Sequence, residues 1–338
     1  MGVKRDLKRL KWVHSVLNSF NSRKTVCPHL PKVTNIELTS RCNLNCRKCA
    51  RDRIRETRGF GDMPISRYAE ILERYPESVE RIKLFQHGEP TVYPWIVEAC
   101  EIASLSPQVA RFGFATNGNF KTSLLRELFE VGLPWITFSF DGVSREVYED
   151  TCRGGDFDLV EANIVEACRL RDEKYPNVVV AITVVRSSHT ERELLRFNDR
   201  WSPHLKRDVF VLDLHDWTGD NVDPTQLDYL GYKMSRTRPT SCISPWKYTR
   251  IYYNGDVVPC CTWLWEPLGN VFQDDLYEIW NNEKYRSLRG ALNVDRGRHE
   301  YCSRCYLEPE LTQRNPFYPL DRELLSTVTN GLRVRLKR

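Results

Sequence analysis

The chain has 338 residues, 41% of them hydrophobic, with twelve cysteines and a formal net charge of +5. That length and apolar content suffice for one large domain and a small one and exclude a disordered segment; no run of about 18 apolar residues occurs, which excludes a membrane-spanning helix, and the basic N-terminus lacks the unbroken apolar stretch of a signal peptide. The charge is segregated: residues 1–24 carry +6 and the last six carry +4, so the body between them is −5 and offers no basic face to nucleic acid.

Residues 1–30 read as a basic helical extension, with Val13, Val16, Leu17 and Phe20 on one apolar stripe that docks on the core. From 31 to 215, β-rich runs alternate with helical patterns. Strands are predicted at 33–38, 80–85, 110–115, 135–140, 178–185 and 208–214. Helices are predicted near 66–75, 94–104, 122–131, 157–172 and 189–200, with Thr122 as an N-cap and Gly132 as a stop. Six βα units in succession predict a parallel sheet with right-handed crossovers. A full eight-stranded barrel takes about 250 residues, so the expected fold is α/β: a partial (β/α)6 TIM-like barrel, with the doubly wound open sheet as the competing form. Either fold puts functional residues just after strand ends.

Residues 216–240 read as a linker rich in turn residues. A small α+β module follows over 241–310, with short strands around "YTRIYYNGDVVPCC", a turn at Asn254-Gly255, and a helix at "DLYEIWNNEKYRSLR". Residues 311–338 form a C-terminal tail. Trp246, Trp263 and Trp265 are expected to pack in the core. The cysteines do not suit a secreted disulfide scaffold, because such scaffolds are small and loop-rich. Eight of the twelve fall in two regions, seven of them spaced as metal ligands are, and a reducing cytoplasm is the expected setting.

The first region is "LTSRCNLNCRKCARDR", with Cys42, Cys46 and Cys49 in a C-x3-C-x2-C pattern. Zinc sites close with four ligands, commonly in paired C-x2-C spacing; a zinc half-site completed elsewhere is the competing reading. Three thiolates on a cubane iron–sulfur cluster leave one iron open to a substrate or cofactor. Arg41, Arg47, Lys48, Arg51 and Arg53 offset the negative cluster or lie solvated. "CNLNCRKC" resembles the signature of the radical S-adenosylmethionine (radical SAM) enzymes. That resemblance implies a [4Fe–4S] cluster whose open iron chelates S-adenosylmethionine. It also implies reductive cleavage to a 5′-deoxyadenosyl radical that takes a hydrogen atom from the substrate.

Further stretches match the family in order. "FQHGEP" is similar to its Gly-Gly-Glu-Pro stretch, with His87 where the first glycine stands; Gln86, Gly88, Glu89 and Pro90 are the implied cofactor-side residues. "ATNG" and "SFDG", followed by "CRGG", imply Thr116, Asn117, Ser139 and Asp141 near the ribose or substrate. The family often has an aromatic residue before the third cysteine, where this chain has Lys48. Cys242, "NGDVVPCC", "LGN" at 268–270, "EIW" at 278–280 and "CSRC" resemble the family's SPASM/twitch extension, implying one auxiliary [4Fe–4S] cluster on Cys242, Cys260, Cys302 and Cys305. Zinc is the alternative for this second set. Cys261 is left as a buried filler, an exchange ligand or a hydrogen-atom donor.

The implied activity is oxidation of a small polyol, sugar or aminocyclitol, with the auxiliary cluster accepting an electron and a low-potential donor such as flavodoxin or ferredoxin supplying the first one. Alternatives are a radical epimerase that uses a thiol donor, a peptide- or protein-modifying maturase, and a non-catalytic iron–sulfur or zinc scaffold. His87, Glu89, His215 and Asp216 are candidate bases, and Arg186 is a candidate grip on a substrate anion or hydroxyl.

Overall fold

The computed structural model describes residues 2–47, 49, 51–75, 79–141, 144–185, 194–206, 209–212, 242–260 and 266–304. Two compact units form: one from Met1–Leu30, Ser235–Lys247 and Asn281–Arg338, the other from Pro31–Met234 and Tyr248–Trp280. Among the described residues no helix is long and apolar enough to cross a membrane.

The larger unit begins with β1 (Val33–Ile36), buried at every position, and continues through α2 (Arg51–Arg58), α3 (Ile65–Glu73), β2 (Arg81–Lys83), α4 (Ile96–Leu105), β3 (Phe112–Thr116), α5 (Ser123–Glu130), β4 (Trp135–Ser139), α6 (Arg145–Thr151), α7 (Phe157–Glu173), β5 (Val179–Val185), α8 (Leu194–Leu205) and β6 (Phe210–Leu212); α1 (Gly2–Asn21) precedes them in the other unit. Strands β1 to β6 lie side by side in sequence order, every neighbouring pair parallel. An order without reversal is that of a barrel wall and rules out the doubly wound sheet, whose order turns back at a switch point. The six strands stand within a few residues of their predicted positions. Helices α2 and α6 were not predicted: both are short and highly charged, and neither shows an apolar stripe. The helix expected over 189–200 runs from Leu194, residues 186–193 lying outside the described set.

The other edge of β1 is taken by β7 (Tyr248–Ile251), parallel to it, and the sheet continues through antiparallel β8 (Asp256–Val258) and β9 (Gly269–Asn270). The C-terminal strands therefore extend the barrel sheet to nine strands. Gly255 takes φ +84° at the β7–β8 turn, as the Asn-Gly pair predicts. Gly132 takes φ +90° just past α5, and Leu133 N–H reaches back to the Leu128 carbonyl, a helix stop of the glycine type. Thr122 stands at the N-cap but its side chain makes no capping bond, since its own backbone is already helical.

The smaller unit is built on α1, a turn of helix α9 (Ser244–Lys247) and α11 (Glu283–Val294), which follows α10 (Leu276–Trp280) in the chain. Of the predicted stripe on α1, Val13 and Val16 are buried and Leu17 and Phe20 half-buried; Trp12, outside the stripe, is buried too. Trp246 is fully buried, edge-on to Phe20, and its indole N–H donates to the Lys24 carbonyl. Arg289 is also fully buried; Nε donates to the Pro245 carbonyl and Nη1 to the Thr25 carbonyl.

In the barrel, Asn163 of α7 is fully buried and its amide donates to the carbonyls of Gly118 and Phe120, at 2.8 and 2.9 Å. It thereby fixes the loop after β3 from behind. Replacement Asn163→Leu keeps the volume but strands two buried carbonyls, and is expected to lower stability by about 2–4 kcal/mol. Urea unfolding followed by circular dichroism measures this.

Candidate functional site

The three cysteines follow β1 on one loop, Cys42 and Cys46 half-buried and Cys49 exposed. Three backbone supports shape that loop. At its start, Met63 N–H donates to the Leu38 carbonyl and Ser40 N–H to the Gly61 carbonyl. In its middle, Asn45 and Arg47 donate to the carbonyls of Arg153 and Thr151, so the "CRGG" stretch and the residue before it form a two-rung brace. From above, Glu89 N–H donates to the Arg41 carbonyl at 2.8 Å. Gly88 lies so close that a Cβ there would stand 2.1 Å from the Thr39 carbonyl oxygen. Glycine is needed here for backbone approach.

Glu89 joins the loops after β1, β2 and β3. It is 4% exposed. Oε1 accepts from the Thr91 N–H, the Thr91 hydroxyl and the Thr116 hydroxyl at 3.0, 2.8 and 2.7 Å. Oε2 accepts from the Asn117 N–H at 2.7 Å. Burial pushes this carboxyl above its ordinary range, against the pull of the four donors. Both oxygens are occupied, so Glu89 is a strut rather than the general base proposed from sequence. Pro90 is buried and opens the short 3-10 turn Pro90–Val92. Asn117 carries the link onward: its Nδ2 donates to Asn43 Oδ1 at 2.8 Å and lies 3.9 Å from Cys42 Sγ, which also receives the Leu44 N–H at 3.4 Å.

The site thus brings Cys42, Gly88, Glu89, Thr116 and Asn117 into one hydrogen-bonded assembly. Gln86 accepts from Asn35 of β1 at 3.1 Å. Asp141 is buried and accepts from Val185 N–H at 2.6 Å, tying the end of β4 to the end of β5, while Ser139 closes β4 opposite Thr183. Arg186, His215, Asp216, Cys261, Trp263, Trp265 and Cys305 lie outside the described residues. Cys242 and Cys302 belong to the smaller unit and Cys260 to the larger. Cys27 and Cys168 are buried and their thiols pushed up to about 11, Cys100 further still; burial is the cause in each case, so these are protonated fillers.

His87 does not point away from the protein. Its side chain is 9% exposed and packs in a buried charged group with Glu37 and Arg58. Its backbone N–H donates to Glu37 Oε2 at 3.0 Å. Nδ1 faces Arg58 Nη2 at 3.0 Å and Glu37 Oε2 at 3.4 Å. The shorter contact is to a group that only donates, so Nδ1 accepts and is not spare for a substrate proton. Glu37 and Arg58 escaped the sequence reading, although a single acid at the end of a fully buried strand was a usable signal. Asn43, whose Nδ2 donates to the Asn119 carbonyl at 2.8 Å, and Asn119, whose Oδ1 accepts from Asp156 N–H at 2.6 Å, escaped it too, because their roles depend on contacts between loops.

The donor set fits a cubane. Cys42, Cys46 and Cys49 offer three thiols from one loop, and a cubane takes its thiolates at separate irons. Two N–H groups aimed at Cys42 suit a thiolate ligand. Arg41 and Arg47 pair with Asp62 and Asp150, at 3.2 and 2.5 Å, so their charge is offset locally instead of being directed at a cluster. Replacement Glu89→Gln removes the anion and sets an NH2 group against donors. It is expected to cost about 2–3 kcal/mol and to lower iron retention, measured by denaturant unfolding of the metal-free chain and by iron content after reconstitution.

Comparison with known proteins supplies the family. The Radical SAM superfamily profile matches residues 36–199, and the SPASM profile, an iron–sulfur cluster-binding domain, matches 242–306. A tungsten-containing aldehyde ferredoxin oxidoreductase cofactor-modifying protein from Pyrococcus furiosus is 25% identical over 300 residues, spanning 76% of this chain and 83% of its own length. Among solved structures, BtrN in complex with AdoMet and 2-DOIA aligns with a TM-score of 0.55 at 20% identity over 82% of this chain and 93% of that one. Streptococcus suis SuiB bound to precursor peptide SuiA aligns with a TM-score of 0.61 at 17% identity over 87% and 73%. Those likenesses establish the shared fold. With the thiol loop braced by strand-end loops of a partial barrel and both profiles matched in order, the chain belongs to the radical SAM superfamily and carries a C-terminal SPASM iron–sulfur domain.

Proposed function

We propose that this enzyme oxidises a small hydroxylated molecule at a carbon bearing hydrogen, using an auxiliary cluster as electron acceptor. The observation that carries the reading is the fixing of the Cys42–Cys49 loop to the Gly88-Glu89 and Thr116-Asn117 stretches, an assembly that a metal scaffold alone would not need. Cys42, Cys46 and Cys49 would hold the first cluster. When bound, the cluster and S-adenosylmethionine supply hydrogen-atom abstraction by one-electron reductive cleavage of the sulfonium. The chain's own part is to hold the loop rigid, to present backbone groups at Gly88 and Asn117, and to keep water out at the strand ends. Thr116 and Asn117 act through the Glu89 knot as positioning residues.

We assign Cys242, Cys260, Cys302 and Cys305 to the auxiliary cluster on their order within the SPASM match. A four-thiolate cluster has no open iron, and its work is electron transfer. Such a cluster would take the second electron from the substrate radical, and with its proton passing to water the product would be a ketone or aldehyde. The archaeal relative is described as a cofactor-modifying protein, in keeping with a small-molecule substrate. A low-potential donor of the flavodoxin or ferredoxin type would supply the first electron, and the exposed thiol of Cys49 suits a reducing, cytoplasmic setting.

Anaerobically reconstituted protein is expected to hold about eight irons, four for each cubane, and to release 5′-deoxyadenosine from S-adenosylmethionine under a strong reductant. Cys42→Ala should remove about half of the iron and abolish that release; wild-type protein yielding none would sink the reading. Cys302→Ala is expected to lose the other half of the iron and the oxidised product.

A further inference from the structure

The interior of the barrel is not filled. On β4, Trp135, Thr137 and Ser139 face inward and are only half-buried, whereas Ile136 and Phe138 face the helices and are fully buried. A packed barrel would fill its inner face with bulky branched side chains. Here the inward positions in mid-sheet are small: Ala115 on β3, Thr137 on β4 and Ala181 on β5.

Below them, one row of residues runs in register across adjacent strands. Arg250 of β7 stands opposite Asn35 of β1, and Asn35 opposite Lys83 of β2. Lys83 stands opposite Gly113 of β3, and the Trp135 ring lies over Gly113, 2.6 Å from where a Cβ would stand. Thr34, the neighbour of Asn35, bonds the Tyr75 hydroxyl just past α3, so Thr34 faces the helices and Asn35 with its row faces inward.

Three members of this row carry a buried polar atom with no hydrogen-bond partner: Arg250 Nε, Asn35 Oδ1 and Trp135 Nε1. Arg250 is the informative one. Its Nη1 donates only to the carbonyl of its neighbour Thr249, and its guanidinium lies 5.5 Å from the Tyr248 ring centroid. Among the described residues it has no carboxylate partner. Glu37, the next inward residue of β1, is engaged by Arg58 and His87, and Lys83 already has an interaction of its own. A guanidinium half withdrawn from water without a counter-charge is costly. An arriving anion would remove that cost through charge-assisted bonds. Asn35 stands four residues before Thr39, whose carbonyl meets Gly88. At about 3.3 Å a residue, the row lies about 13 Å beneath the cofactor loops.

We propose that this row is the floor of the substrate chamber and that the substrate carries an anionic oxygen group, a carboxylate or a phosphate, which Arg250 holds. Asn35 Oδ1 accepts a substrate hydroxyl there, and Trp135 Nε1 is a second donor. The inference rests on the function proposed above and deepens it: the hydroxylated molecule is an anion, anchored at one end and oxidised at the other.

The test uses cluster-loaded protein with S-adenosylmethionine bound, titrated calorimetrically with D-glucose 6-phosphate, D-glucuronate and D-glucose as probes. At least one anionic probe is expected to bind about tenfold or more tightly than glucose, and the tighter of the two identifies the group as phosphate or carboxylate. Arg250→Gln should bring all three within about threefold of one another, and Arg250→Lys, which keeps the charge, should retain the anion preference. The wild-type ranking and the lysine variant decide the matter even where the glutamine variant does not fold. Equal binding of the three probes, a preference for glucose, or an anion preference that survives Arg250→Gln overturns the proposal. Binding of none means that the row holds solvent only, and overturns it too. If the protein cleaves S-adenosylmethionine while the probes fail, only the floor assignment falls. If cleavage itself is absent, the function proposed above falls with it.

Discussion

Glu89 sits where water does not reach, and four donors from two strand-end loops converge on its two oxygens. One more bond, from its own N–H, reaches the cysteine loop. A buried carboxylate is costly unless its lone pairs are met, and here they are. The register of three loops therefore hangs on one side chain. Asn117 then passes that register to Cys42 through Asn43, so an open-ended barrel can hold a thiol loop whose outermost cysteine is exposed to solvent. Remove the carboxylate and the loops keep their strands but lose their common reference.

Beside this satisfied knot lies an unsatisfied one. Glu37, Arg58 and His87 share a buried space, and each carries a polar atom without a hydrogen-bond partner. The contrast is informative because both groups sit at the same end of the sheet. Where the chain needs rigidity, donors and acceptors match one to one. Around Glu37, Arg58 and His87 donors and acceptors do not pair one to one, and the Arg58 guanidinium rests on the Tyr252 ring instead. His87 takes the place of a glycine in the family pattern, and its imidazole is housed by packing near Tyr252, ring centroids 5.7 Å apart, instead of by an empty corner.

Much of this was legible from local pattern. Strands β1 to β6 are short apolar or alternating runs between turn residues, and each βα unit repeats the last, so their positions and parallel order follow from periodicity and chirality. The cysteine spacing and the Gly88-Glu89-Pro90 run located the site. Pairing of β1 with β7 was not legible, because nothing local in "VTNI" states which distant segment completes its edge. Nor was the strut role of Glu89, since a glutamate after a strand reads equally as base, ligand or tether until its donors are seen. Arg58 lies on a helix whose composition is almost wholly polar, so no stripe distinguishes its buried member from its exposed ones. Tertiary contact, not sequence pattern, decides such cases.

The pairing of Val33 with Tyr248 has a consequence during synthesis. The first strand of the barrel emerges early and is buried at every position in the finished fold. One of its edges waits for a partner that the ribosome delivers only after nearly the whole barrel has appeared. Until then that edge is a template for adventitious pairing with other nascent chains. Long-range closure of this kind is slow, so completion of the wall comes late, and expression at low temperature or with chaperones should favour soluble chains over aggregates.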